Sequence, residues 1–185
     1  FDTNSSSGDG GAIFADNLTS LNVSNSYFTR NYSSSGNVLY LNGTTSALVN
    51  TSYFYSNLGG LAGGVFYVTA NADLSVSNST FESNISTYGG VFYLINGAEL
   101  TVYNSSFQGN VGGNSAGIIY SYQDSGASAN QINFYHNLEI GNNSGGDGIS
   151  RFYNCIYDEG ECINVNTASP FVGDHYIFEN NIISI

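Results

Sequence analysis

Five copies of a Phe-x-x-Asn element, at Phe28/Asn31, Phe54/Asn57, Phe81/Asn84, Phe107/Asn110 and Phe134/Asn137, follow one another at steps of 26, 27, 26 and 27 residues. A small residue followed by glycine opens each unit, at Gly10-Gly11, Ser35-Gly36, Gly63-Gly64, Gly89-Gly90 and Ala116-Gly117, so two separate marks keep one period. A fixed period of this length is the signature of a solenoid, in which each repeat is one structural unit stacked on its neighbours.

Within a unit the apolar residues alternate with polar ones, which is the periodicity of strands and not of helices. After the glycines the more apolar positions are Ile13/Ala15, Val38/Tyr40, Phe66/Val68, Phe92/Leu94 and Ile119/Ser121, and these are expected to face inward. In the next strand the inward set is Leu21/Val23, Ala47/Val49, Leu74/Val76, Leu100/Val102 and Ala127/Ala129, and the Phe of Phe-x-x-Asn supplies a third side of the core. One coil alone cannot offset the entropy of ordering its backbone with so few buried side chains. Stacking removes the problem, because each strand then pairs with its copy one turn above and below. The expectation is an all-β, single-stranded right-handed parallel β-helix of about five to six coils with three short strands per turn. It forms one domain over 1–185, regular from 10 to 137 and irregular from 138 to 185. Residues 1–9 read as a polar lead-in with turn character, and Tyr176 to Ile185 as a strand-like apolar end able to pair with the next subunit.

Superposing the coils sorts the polar residues. Asn31, Asn57, Asn84, Asn110 and Asn137 form one structural ladder at a corner, and Asn25, Thr51, Asn78, Asn104 and Gln131 another, as amides do when they satisfy turn backbone. His136 falls in the corner column of Arg30, Ser56, Ser83 and Gly109, and Ser26, Ser52, Ser79 and Ser105 are expected to make an outward row of hydroxyls at a spacing of about 4.8 Å. The remaining positions of the first strand put Phe14, Leu39, Tyr67, Tyr93 and Tyr120 outside. That stripe, and in it Phe14, Tyr67, Tyr93 and Tyr120, is a candidate interface, to be covered by the segment around Phe171 to Phe178, by a neighbouring chain or by sugars stacking on the rings.

Composition limits the function. The 185 residues include two Arg (Arg30, Arg151), no Lys, and a net charge of −12, so nothing is available to neutralise nucleic-acid phosphates. No apolar run approaches the roughly 18 residues of a membrane-crossing helix. The chain opens at Phe1 without a signal-peptide pattern, as a mature or excised piece would. Cys155 and Cys162 lie close together in a Gly- and acid-rich loop with no metal-ligating partner at suitable spacing, which favours a local disulfide over a metal site. Asn-x-Ser/Thr acceptors occur at Asn4, Asn17, Asn22, Asn31, Asn42, Asn50, Asn78, Asn84, Asn104 and Asn142, an excess over random placement that points to a glycosylated protein outside the cell. Asn31, Asn78, Asn84 and Asn104 are expected to be held in the corners and bare, leaving N-linked glycans at Asn17, Asn22, Asn42 and Asn50.

The in-phase motifs GGAI at Gly10 to Ile13 and GGVF at Gly63 to Phe66 and Gly89 to Phe92, each followed by FTRN, FESN or FQGN, resemble the polymorphic membrane protein repeat of bacterial autotransporter adhesins. The second and fifth units open with Ser-Gly and Ala-Gly instead. The resemblance covers Gly10 to Asn137 and implies a right-handed β-helix at a cell surface, used for adhesion or as a stalk.

A polysaccharide lyase or hydrolase is the rival reading, since such enzymes share the architecture, but fold is not function. Lyases of this kind need an Arg or Lys base and hydrolases need converging carboxylates. Here Asp16, Asp73 and Glu99 lie near one corner in different coils at different offsets. The loop Asp158-Glu159-Gly160-Glu161, with Asp147, reads as a solvated loop before it reads as a calcium site. The expectation is therefore no catalytic residue, no metal and no cofactor. The function expected is that of a non-catalytic extracellular or cell-surface structural protein, a glycosylated subunit of a fibre that polymerises head to tail with copies of itself. The alternative is a cell-surface adhesin or carbohydrate-binding β-helix module.

Overall fold

A computed structural model of the chain describes residues 1–122, 130–135, 138–140, 142–144, 150–153, 156–157, 176–179 and 182–183. Each unit runs as short strands that turn at a left-handed corner. The first coil is Ile13–Asp16, Leu21–Ser24 and Tyr27–Thr29, and the second is Leu39–Asn42, Ser46–Asn50 and Tyr53–Tyr55. The third and fourth follow as Phe66–Thr69, Asp73–Ser77, Thr80–Glu82 and Phe92–Ile95, Glu99–Tyr103, Ser106–Gln108. Every strand pairs in parallel with its copy one coil away, which makes the protein an all-β parallel solenoid.

About four complete turns are described, slightly fewer than the five to six expected. Beyond them Ile119–Tyr122, Ser150–Tyr153 and Tyr176–Glu179 extend the first sheet to seven strands. Ile182–Ile183 pairs with Ile156–Tyr157 in the second sheet. The Tyr176–Glu179 strand thus adds to the chain's own sheet edge beside Ser150–Tyr153 and does not lie across the outer stripe. A fourth sheet, Ile85–Tyr88, Val111–Ser115 and Asn143–Ser144, adds a side that the three-strand reading lacked.

The corner before the first strand explains the glycine mark. Gly10, Gly36, Gly63 and Gly89 all have φ between 59° and 66°, and Ala116 follows at 57°. A Cβ on Gly63 would sit 2.3 Å from the Phe66 carbonyl oxygen, so the turn needs both the positive φ and the missing side chain. The residue after it approaches the next coil directly: a Cβ on Gly64 would lie 2.0 Å from the Gly90 carbonyl oxygen. In the second coil Gly36, not Ser35, holds the positive-φ position. That one-residue difference moves the strand register. Ile13 pairs with Leu39 and Leu39 with Phe66, so Leu39 and Leu41 are buried and Tyr40 is the outward residue. The expected inward pair Val38/Tyr40 is corrected accordingly, as a slip of one residue exchanges the two faces of a strand. Val38 is buried too, but in the corner.

The core is a column of rings flanked by aliphatic rows. Phe28, Phe54, Phe81 and Phe107 stack at centroid distances of 4.8–5.1 Å with planes within 4°. Phe1 continues the column at 4.8 Å from Phe28. Residues 1–9 are therefore a partial turn and not a loose lead-in: Asp2 bridges to Thr29, Ser5 to Tyr32 and Asp9 to Ser35. Phe1-Asp2-Thr3-Asn4 is itself a Phe-x-x-Asn copy, 27 residues before Phe28/Asn31.

The fifth copy is not where the motif put it. Phe134 pairs with Val102 in the second sheet, Glu139 takes the register position of Phe107, and the next ladder amide is Asn142. Ile132, buried, pairs with Leu100, in the place expected for Ala127/Ala129, which lie outside the described residues. Gln131 pairs with Glu99 at a strand start, so it does not continue the line of Asn104.

Candidate functional site

The corner amides form a continuous buried chain. The backbone N–H and Nδ2 of Asn57 both donate to Asn84 Oδ1, at 3.1 and 2.9 Å, while Asn57 Nδ2 also donates back to the Phe28 carbonyl at 3.1 Å. Asn31, Asn84 and Asn110 repeat the arrangement, Asn4 starts it, and Asn142 stands where Asn137 was expected. Asn137 lies outside the described residues. The spacing Phe-x-x-Asn thus has a mechanical origin: the ring fills the core and the amide three residues on grips the Phe carbonyl one coil below.

The serine column also turns inward, which overturns the expected outward row. Ser52, Ser79 and Ser105 are 4%, 2% and 4% exposed. Each hydroxyl donates to the carbonyl two residues back, as Ser79 Oγ does to Ser77 at 2.8 Å, and accepts the backbone N–H of the serine one coil below, as Ser79 does from Ser52 at 3.1 Å. Ser26, the first of the column, is half-buried, and its hydroxyl donates to the Ser24 carbonyl at 2.8 Å. The line Asn25, Thr51, Asn78 and Asn104 sits at φ of 47–50°, the left-handed corner between the second and third strands. Its side chains are exposed: Asn104 Nδ2 donates to Asn78 Oδ1 at 2.6 Å and Asn78 Nδ2 to Asn50 Oδ1 at 3.0 Å. Asn78 and Asn104 are therefore surface groups, unlike Asn31 and Asn84, whose side chains are fully buried.

Of the expected glycan carriers, Asn17 and Asn22 are exposed and Asn42 and Asn50 half-buried. The amides of Asn17 and Asn42 both donate to Asp16 Oδ1 at 2.8 Å. Asp73 and Glu99 are register partners in adjacent coils, both exposed, which corrects the expected difference in offset. Among the described residues no three His, Cys, Asp or Glu side chains converge to hold a metal ion, and no helix is long and apolar enough to cross a membrane. Arg30 clamps the first partial turn: its Nη2 reaches Asp2 Oδ2 at 2.6 Å, and that contact, with the Thr29 hydroxyl, lowers the Asp2 carboxyl to about 2. Cys155, Cys162, His136, His175, Asp147, the 158–161 loop and Phe171 lie outside the described residues. Arg151 is in the strand Ser150–Tyr153.

Two outer surfaces carry rings. On the first sheet Phe14, Tyr40, Tyr67, Tyr93 and Tyr120 stack in sequence at 5.2, 4.8, 5.0 and 5.2 Å, with planes within 20°. The stripe includes Tyr40 where Leu39 was expected. Sugars cannot stack on its inner rings, since each face is taken by the next ring. Burial, then the carboxylates of Asp9 and Asp16, raises the Tyr40 hydroxyl above its ordinary range.

On the third sheet the rings are fewer and open. Tyr27 and Tyr53 are 5.9 Å apart but tilted by 58°, and Tyr55 lies parallel to Tyr53 at 6.1 Å. Above Tyr53 the register places Thr80, not another ring. The Tyr53 hydroxyl donates to Glu82 Oε2 at 2.5 Å, which pushes its pKa up to about 12. Ser26, Tyr27, Thr51, Ser52, Tyr53, Asn78 and Thr80 line a groove here of about 360 Å³. Sequence reading missed it. The signal was the unequal column Tyr27, Tyr53, Thr80, Ser106, in which two rings are followed by two small residues.

No family model, no curated protein and no solved structure matches the chain.

Proposed function

We propose that the chain is a non-catalytic structural protein of the cell surface or extracellular space, a glycosylated subunit of a fibre built by stacking one solenoid on the next. The observation that carries this reading is that the recurring residues contact their own copies. The rings of the Phe column, the corner amides and the inward serines each bond the same residue type one coil away. A strand edge that pairs in parallel with its next coil can pair in the same manner with the edge of a second copy, and head-to-tail contacts of this type need not close. The first sheet presents such a surface in the edge of Ile13–Asp16 and in the ring of Phe14, 56% exposed at the end of its stack. The ten Asn-x-Ser/Thr acceptors, with Asn17 and Asn22 exposed, support an extracellular setting.

The test is sedimentation together with electron microscopy of the 185-residue chain. The expected result is concentration-dependent filaments one solenoid wide, abolished by Phe14→Asp while circular dichroism remains that of a β protein. A stable monomer at every concentration would overturn the fibre.

A further inference from the structure

We propose that the groove on the third sheet, between Tyr27, Tyr53 and the Asn78 corner, binds a neutral saccharide supplied from outside the chain. Its volume of about 360 Å³ lies at the lower end of the roughly 300–1,000 Å³ typical of ligand sites. That size suits a short stretch of sugar chain better than a protein segment.

The chemistry of the walls selects the ligand. A pyranose has an apolar C–H face and a rim of hydroxyls, so it needs an uncovered aromatic face beside groups that both donate and accept. Tyr27 is 70% exposed, and its 58° tilt against Tyr53 means that the two rings do not cover each other face to face. Tyr53 is held by its bond to Glu82, so its ring is oriented before any ligand arrives. The opposite wall is polar. The Asn78 amide has one bond in each direction, to Asn50 and from Asn104, which leaves one N–H and one lone pair. Thr51 and Thr80 add two hydroxyls at the groove.

Charge excludes the acidic sugars. The chain has two Arg and a net charge of −12. Arg30 is committed to Asp2, and Glu82 stands behind Tyr53. A uronate or sulfated sugar would meet repulsion there and no cation among the described residues lining the groove. The site stands whether or not the chain assembles into fibres.

The test uses the full chain produced in bacteria, hence without N-glycans, titrated with cello-, manno- and galacto-oligosaccharides and with oligogalacturonate by calorimetry. Tyrosine-labelled NMR on the same samples locates the contact. The expected result is saturable binding of at least one neutral sugar in the millimolar range or tighter, shifting Tyr27 and Tyr53 but not Tyr67. Tyr27→Ala and Tyr53→Ala should each weaken it roughly tenfold, and Leu48→Ala, on the exposed second sheet, should not change it. The proposal is overturned if no neutral sugar binds, if oligogalacturonate binds more tightly, or if both tyrosine variants bind as the parent does. It is overturned also if protein from a glycosylating host carries an Asn78-linked sugar that fills the groove and excludes added saccharide.

Discussion

The two outer aromatic surfaces are built from the same residue type on the same coil spacing, yet they end in opposite states. On the first sheet each ring lies on the next, from Phe14 through Tyr40, Tyr67 and Tyr93 to Tyr120, so the faces of the inner rings are consumed by stacking and only the terminal Phe14 keeps an open face. On the third sheet the column stops after two rings, because Thr80 and Ser106 follow Tyr53. Tyr27 and Tyr53 tilt apart. A repeat that is perfect in every coil saturates its own surface, and an interruption of the repeat leaves surface for something else.

The comparison breaks most completely if the step shared by both surfaces is lost. Asn57→Ala removes an acceptor of the Asn31 N–H and Nδ2 and the donor to the Phe28 carbonyl, all buried. Leaving such groups unsatisfied costs about 1–3 kcal/mol each, so a loss of about 4 kcal/mol is expected in chemical denaturation, with rings on both sheets perturbed.

The next effect separates the surfaces. Tyr67→Ala removes two stacked contacts at the middle of the first-sheet ladder and should cost about 2 kcal/mol. Tyr27→Ala, at an exposed position, should stay within about 0.5 kcal/mol. Equal losses in denaturant midpoint would erase the distinction between a saturated and an open surface.

The smallest effect is a titration. Tyr53 and Tyr40 are both raised, Tyr53 to about 12 by its bond to Glu82 and Tyr40 first by burial. In Glu82→Ala the Tyr53 hydroxyl should fall back toward the ordinary 10.0, with burial and the neighbouring Tyr55 and Tyr27 still holding it somewhat above, while Tyr40 stays where it was. For the parent, a folded pKa above the unfolded one means that the Tyr53 contribution is fully present below about pH 10. It fades as pH rises through about 12. Ring NMR shifts followed against pH read both groups. A Tyr53 that titrates unchanged without Glu82 would show that burial, not the carboxylate, sets both.

Much of the fold was legible because stacking forces repetition into the sequence. A solenoid needs the same ring, the same corner amide and the same turn at each step, so Phe28 to Phe107 and Asn31 to Asn110 could be placed by counting. Where the reading failed, two local signals competed. The Ser35-Gly36 pair looked like Gly63-Gly64, but only the residue at positive φ marks the turn, and that is Gly36. Phe134/Asn137 kept the period by coincidence, while pairing followed the strand Gln131–Tyr135 and carried the corner on to Asn142. Phe1-Asp2-Thr3-Asn4 keeps the period too, but it stands out as a copy only once its ring lies on Phe28 and Asn4 bonds Asn31. Small polar residues suit solvent, so in the sequence the serine column reads as an outward row. It points inward because its hydroxyls serve the backbone of the corner.

The sequence by itself determined the period, the strand character, most of the core and the acidic surface, since each follows from local alternation and composition. Only the tertiary structure decided which way the corner residues turn and which rings find partners. Both depend on what lies one coil away, about 26 residues off in sequence and about 4.8 Å off in space. Asn78 and Asn84 are alike as letters in a motif. One is exposed at a left-handed turn and lines a groove, and the other is buried in a chain of amides, because the stacked coil above and below gives each a different neighbour.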